Sequence, residues 1–158
     1  PEIAVVGKKL YLFDDKGVWG ETDIIPEPKK EDLIHGTPFS HGSCMVRREA
    51  FMAVNGYSVD DKLLRVEDYH LWMKIYAKGY RGINLPQPLY SLRDDRDAAT
   101  RRSFKARCNE AYVMRLIVKE LGLPKWKLIY SLRPLILGML PVKLYQALHR
   151  AKMGRKKA

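Results

Sequence analysis

Strand-like and helix-like segments alternate along the first hundred residues, and that alternation constrains the fold more than any other feature of the chain. Residues 3–13 carry an apolar pattern that fits two strands or one bent strand. It stops at the turn signal Asp14-Asp15-Lys16-Gly17, and Val18-Trp19 reads as the returning partner. Residues 42–47 read as a short buried strand, and residues 48–54 as one or two helical turns ended by Asn55-Gly56. Residues 67–78 form an amphipathic helix pattern: Leu71, Trp72, Ile75 and Tyr76 share one face, Lys74 and Lys78 lie elsewhere, and Gly79 stops it. Residues 83–85 and 89–92 read as two short strands separated by Pro86 and Pro88. This order predicts an α/β layer and not a helix bundle.

Between these elements, residues 20–40 are polar, carry Pro26, Pro28 and Pro38, and read as a long loop of the functional or mobile kind. Beyond residue 100 the pattern is helical. Phe104, Cys108, Tyr112 and Leu116 follow an i, i+4 spacing, and Gly122-Leu123-Pro124 closes that helix. Residues 126–140 read as a second helical segment broken at Pro134. Pro141 suits the first turn of a last helix running to about Lys152.

Length and charge limit what such a chain can be. With 158 residues, 46% hydrophobic and 30% charged, it is globular in composition and suits one modest core. The net charge of +11 is segregated: residues 101–158 hold 15 Lys/Arg against 2 Glu, leaving 14 basic against 16 acidic in residues 1–100. A basic tail of this kind suits an anionic membrane surface, an acidic partner or nucleic acid. Nucleic acid is the poorest of these, because no recognised motif is present and the charge sits among apolar turns. There Trp126, Tyr130, Leu135, Ile136, Leu137, Met139 and Leu140 alternate with Lys125, Lys127, Arg133, Lys143 and Arg150, a pattern fit for a lipid interface. The longest apolar stretch is far short of the roughly 20 residues a spanning helix needs. Cys44 and Cys108, far apart and in apolar contexts, read as two buried free thiols of a cytosolic protein. Pro1 opens a segment that reads as a strand already under way, so the chain is expected to be part of a longer one, cut inside a domain.

The chemistry centres on Glu67-Asp68. Two acids opening a helix are explained by helix-start electrostatics alone, since free N–H groups and the helix dipole favour carboxylates there. Their setting says more. His41-Gly42-Ser43-Cys44-Met45-Val46-Arg47-Arg48 comes first, then Asn55-Gly56-Tyr57, then an acidic loop. Glu67-Asp68-Tyr69-His70-Leu71-Trp72-Met73-Lys74 follows, then Lys78-Gly79-Tyr80, and finally Leu85-Pro86-Gln87-Pro88-Leu89-Tyr90 with Arg93.

This ordered series resembles the second half of family 2 glycosyltransferases, over residues 1–93 and more loosely through 94–122. The resemblance implies the C-terminal half of a GT-A (nucleotide-diphospho-sugar transferase) domain in residues 1–100, holding the acceptor side and the catalytic base. A basic helical tail follows in residues 101–158. It implies transfer of a sugar from a nucleotide-sugar donor to the hydroxyl of a saccharide or lipid-linked saccharide acceptor, with inversion, in bacterial-type cell-surface polysaccharide or glycolipid synthesis. By the same resemblance Asp68 would take the acceptor proton as general base. Glu67 would orient the loop or bind a sugar hydroxyl, and His41, Gly42 and Ser43 resemble the segment that lines the sugar site, where a glycine lets the backbone approach and a serine offers a donor and an acceptor. Arg93 is expected to pair with the diphosphate or a nearby carboxylate.

By the same resemblance a divalent cation, Mg or Mn, is held by an Asp-x-Asp motif. Asp95-Arg96-Asp97 matches that string but follows the base instead of preceding it, and Asp14-Asp15 sits in a turn. The ligands are therefore expected upstream of Pro1, together with the nucleotide-binding half. Asp94, Asp95 and Asp97 stand where relatives carry His or small polar residues, so their role stays open. The implied location is the cytoplasm, with docking to the membrane face through the tail. The alternative is a non-catalytic membrane- or partner-binding module that keeps the half-fold.

Overall fold

The computed structural model describes residues 2–94 and 103–141. Its centre is one long strand, β1 (Ile3–Asp14), which turns through Asp15-Lys16 into β2 (Gly17–Glu21). The Asp14 carboxylate accepts the Lys16 N–H at 2.8 Å, as turn aspartates do, and fixes the hairpin. β1 is therefore the single bent strand, with its irregularity at Leu12/Phe13.

β3 (Met45–Val46) lies antiparallel on the same edge of β1, opposite Val5 and Val6. The short segment is not the buried strand its sequence suggests: Met45 is exposed and Val46, on the opposite face, is half-buried against the core, because β3 is a two-residue edge strand. On its other edge β1 pairs in parallel with β4 (Arg81–Arg93), from Ile3↔Arg81 to Phe13↔Arg93. β4 is one continuous strand where the sequence suggested two. Pro86 and Pro88 lack N–H donors, and the ladder answers with register shifts around Lys8, Lys9 and Leu10 instead of a break.

The parallel pairing of β1 and β4 requires a crossover, and residues 15–80 supply it. Within it lie α1 (Arg48–Ala53) and α2 (Glu67–Ala77). The expected face of α2 is the buried one: Leu71, Trp72, Ile75 and Tyr76 join Val5 in the core. Residues 20–40 are a correction to the long-loop reading. A 3₁₀ segment at Lys30–His35 buries Leu33 and Ile34, and Phe39 follows them into the core, edge-on to Trp72 at 5.4 Å. Polar neighbours hid these three residues. The segment is pinned from several sides: Tyr69 donates its hydroxyl proton to the Leu33 carbonyl, Tyr76 to Pro28 O at 2.8 Å, and Asn84 Nδ2 to Ile25 O at 2.8 Å and Pro38 O at 3.1 Å. Phe39 fits because residue 82 is glycine; a Cβ there would stand 2.3 Å from Phe39 Cζ.

α3 (Phe104–Glu120) completes the same core with Val113, Met114, Ile117 and Val118. The stripe Phe104, Cys108, Tyr112, Leu116 is not its buried face: Phe104 and Cys108 are exposed and the other two half-buried. The stronger aliphatic set at 113, 114, 117 and 118, about a quarter-turn away, wins the core. Cys108 is thus an exposed thiol and Cys44 a half-buried one, which corrects the reading of both as buried. Gly122, at φ +63°, ends α3, and Leu123 N–H returns to Val118 O at 2.9 Å. A 3₁₀ segment (Lys125–Ser131) then leads directly into α4 (Leu132–Met139). The change of helix type falls at Ser131–Leu132 and not at Pro134, which sits in the first turn of α4 where no N–H is needed. Pro141 is the last described residue of this segment; the rest of the helix expected to run from it to about Lys152, and the basic end Arg155-Lys156-Lys157, lie outside the described residues. No helix among the described residues is long and apolar enough to cross a membrane.

Candidate functional site

The site is built where the head of α2 meets two loops. The chain enters α2 through Arg65, a non-glycine residue at φ +72°, immediately before Val66 and the acids. Glu67 is exposed and Asp68 half-buried, in the first helical turn. Asp68 Oδ1 accepts the N–H of Tyr69 at 2.8 Å, which fixes the carboxylate against the helix start and leaves Oδ2 for another partner.

Two neighbours register the charge of this pair. The Tyr57 phenol is held above its ordinary value first by burial, then by the negative charges of Asp68 and Glu67. The Cys44 thiol is pushed up to about 11, first by burial and then by Asp68, with Lys8 partly opposing. Tyr57 and Cys44 therefore lie within electrostatic range of Asp68 although they come from three separate segments.

His41 joins them. Its Nε2 lies 3.4 Å from Tyr57 Oη, and its ring stands 6.0 Å from both the Tyr57 and Trp72 rings. The loop bearing Tyr57 is tied to α2 by Lys74, whose Nζ donates to Val54 O (2.9 Å), Gly56 O (2.6 Å) and Ser58 Oγ (3.0 Å). One helix thus carries both the carboxylate and the cation that positions its aromatic neighbour.

The other sequence-predicted residues are placed as follows. Gly42 lies in a 3₁₀ turn (His41–Ser43), where a Cβ would stand 3.8 Å from Tyr90 Oη. Ser43 is buried and donates its hydroxyl proton to Ser40 O at 2.9 Å, which shapes that turn; the Cys44 thiol donates to the same carbonyl at 3.2 Å. Arg93 is at the end of β4, paired with Asp15 of the hairpin turn at 2.6 Å. The structure thus brings His41 against Tyr57, with Gly42 in the same turn as His41, and sets Asp68 and Glu67 within range of the Tyr57 phenol by charge.

Sequence reasoning did not single out Tyr57, Cys44, Trp72 or Lys74 as site residues. Tyr57 had a signal in its place after Asn55-Gly56, a turn that throws the next side chain outward. Lys74 had none, because three backbone and hydroxyl acceptors distant in sequence cannot be read from a pattern.

A cleft of about 520 Å³ opens elsewhere, on the side of α2 that bears His70, Met73, Lys74 and Ala77, with Val54 and Leu116 opposite. Neither Asp68 nor Tyr57 lines it. Among the described residues no three His, Cys, Asp or Glu side chains stand together as a cation site. The described part of this chain therefore does not fit the implied metal. Asp95 and Asp97 lie outside the described residues.

A mixed sheet with flanking helices is consistent with a GT-A-like fold, and the sequence is similar to bacterial glycosyltransferases. EpsE of Bacillus subtilis strain 168, a candidate glycosyltransferase, is 34% identical over 153 residues, which are 97% of this chain and 55% of that protein. The amylovoran biosynthesis glycosyltransferase AmsE of Erwinia amylovora is 26% identical over 157 residues, 94% of this chain and 56% of its own. The Escherichia coli UDP-Gal:α-D-GlcNAc-diphosphoundecaprenol β-1,3-galactosyltransferase is 35% identical over 88 residues, 52% of this chain and 31% of its own. The chain thus spans a little over half the length of the first two. No family model and no solved structure matches it.

Proposed function

We propose that this chain is the acceptor-side, C-terminal half of an inverting glycosyltransferase of the GT-A type, acting in bacterial cell-surface polysaccharide or glycolipid synthesis. The observation that carries the reading is the half-buried Asp68 carboxylate, fixed at the head of α2 by the Tyr69 N–H, with the Tyr57 of the Tyr57–His41 pair within range of its charge. An acceptor hydroxyl must lose its proton as it attacks the anomeric carbon. A carboxylate with one oxygen anchored and one free can take that proton. Attack from the face opposite the leaving nucleotide inverts the anomeric centre.

The exposed ring of Tyr57, edge-on to His41, suits the apolar face of a sugar ring, while Glu67, exposed beside the base, suits a sugar hydroxyl. Ser43 supports this wall by fixing the 40–44 turn, and its oxygen keeps lone pairs for a hydroxyl donor. Arg93 stays on the hairpin side, where Asp15 already satisfies it in part. The names of the relatives support a nucleotide-sugar donor and a saccharide or lipid-diphosphate-linked saccharide acceptor. Donor and divalent cation would then be held by residues outside this chain, the cation supplying charge neutralisation at the diphosphate.

Two measurements test the reading. The 158-residue chain by itself should transfer no sugar, and measured transfer would overturn the division of labour. In a protein carrying both halves, Asp68→Asn should lower kcat by about 10²–10⁴-fold while nucleotide affinity stays within about twofold. Turnover equal to that of the parent would remove Asp68 as the base.

A further inference from the structure

A continuous apolar stripe stands in solvent along the segment from Lys125 to Met139. In the 3₁₀ part, three residues per turn align Trp126 with Ile129, and Leu132 continues the line. In α4, Leu132, Ile136 and Met139 share one helical face. These five side chains are 46% to 76% exposed.

Their outward direction is set by packing on the opposite side. Ser131 and Pro134 are buried, and the Ser131 hydroxyl receives Arg115 Nε at 3.4 Å from α3. Gly138 lies so close to α3 that a Cβ there would meet Phe104 and Arg107 at 3.0 Å. Arg133 reaches back to the His35 carbonyl at 3.2 Å. The segment therefore cannot roll its apolar face inward without breaking these contacts.

Charge decides what the face suits. Residues 121–158 contain nine Lys/Arg and no Asp or Glu. Lys125 is exposed beside the stripe, and Lys127 Nζ lies 5.9 Å from the Trp126 ring centroid. A second copy docked through this face would bring two acid-free, cationic segments together, each with Lys125, Lys127 and Arg133, whereas an anionic lipid surface complements both the charge and the apolar residues. An indole at the edge of an apolar stripe with lysines alongside matches the layering of that interface, where rings sit at headgroup depth and ammonium groups reach for phosphate.

We propose that this stripe docks the protein onto an anionic lipid bilayer, with Trp126, Ile129, Ile136 and Met139 entering the headgroup–acyl boundary and Lys125 and Lys127 at headgroup level. The protein lies on the surface through this segment. The inference rests on the surface itself and not on the sugar-transfer reading, so either can fail without the other.

The test uses the full 158-residue chain and vesicles of phosphatidylcholine with or without about 30% phosphatidylglycerol, at low salt. The chain should co-sediment with the anionic vesicles only, and about 500 mM NaCl should weaken binding at least about tenfold. Brominated phosphatidylglycerol should quench tryptophan emission, and the quenching should be lost in Trp126→Phe. The double variant Ile129→Ser/Ile136→Ser, with unchanged far-UV circular dichroism, should partition about tenfold less well. If that variant misfolds, the quenching difference between the parent and Trp126→Phe decides alone. Three results would overturn the proposal: no binding to anionic vesicles at low salt, binding without Trp126 quenching, or lipid-free self-association that buries Trp126.

Discussion

Cys44 offers a reporter for the charge of the candidate base in the chain as it stands. With Cys108→Ala, an exposed site, Cys44 is the single thiol. Its ionisation is pushed from 9.0 to about 11, by burial first and by the Asp68 carboxylate second. Two units mean that about one-hundredth as much thiolate is present near pH 8 as for an unperturbed group, and the thiolate is the nucleophile. Access also slows the reaction, so the position of the pH profile is more telling than the absolute rate. The logarithm of the iodoacetamide rate, followed by mass spectrometry, should climb with unit slope through pH 10 with no plateau. Asp68→Asn removes the smaller of the two causes, so the profile should move to lower pH by a fraction of a unit, raising the rate near pH 8 by about two- to fivefold. A plateau near pH 9 in the parent would refute the half-buried position of Cys44 within range of Asp68. Identical profiles in the two proteins would refute the placement of Asp68 beside it.

Two further outcomes follow from the core and from α2. Gly82→Ala puts a Cβ 2.3 Å from Phe39 Cζ, and Phe39 is held by Trp72 and Tyr76; chemical denaturation should show a loss of about 1–3 kcal/mol. Phe39→Leu in the same chain should relieve part of that loss, and strict additivity of the two changes would argue against the contact. His70 has its pKa lowered from 6.5 by burial and by Lys74, with Asp60 opposing, so the folded state favours the neutral ring. Its contribution is therefore complete above about pH 6.5 and is lost as pH falls through the lower, folded value. The melting temperature should drop between pH 7 and pH 5 more in the parent than in His70→Gln, and equal drops would contradict the assignment.

Local patterns made the framework legible. The hairpin turn at Asp14–Gly17, the face of α2 and the end of α3 at Gly122 each follow from residues adjacent in sequence. What was not legible depended on distant partners. Leu33, Ile34 and Phe39 are isolated among polar residues and become core only because Tyr69, Tyr76 and Asn84 hold the surrounding carbonyls. The proline pair in β4 looked like a break because the unbroken run of β1 beside it cannot be seen from residues 81–93. On α3, two apolar stripes competed and the neighbours decided between them. The candidate site divides the same way. Glu67-Asp68 and His41 stand out as residue types, whereas the closeness of Tyr57 and Cys44 to them is a product of the fold.

β1 has a consequence for how the chain is made. Among the described residues β2, β3 and β4 each pair with β1. The hairpin with β2 can close as soon as residue 21 has left the ribosome, but β4 follows only after the whole 15–80 crossover. Until then one long edge of β1 offers unpaired N–H and C=O groups to any passing strand. Closing the sheet is a long-range step, slow by comparison with the local helices. The interval between synthesis of β1 and arrival of β4 is therefore the time of greatest aggregation risk, and chaperone occupancy on nascent chains should concentrate there.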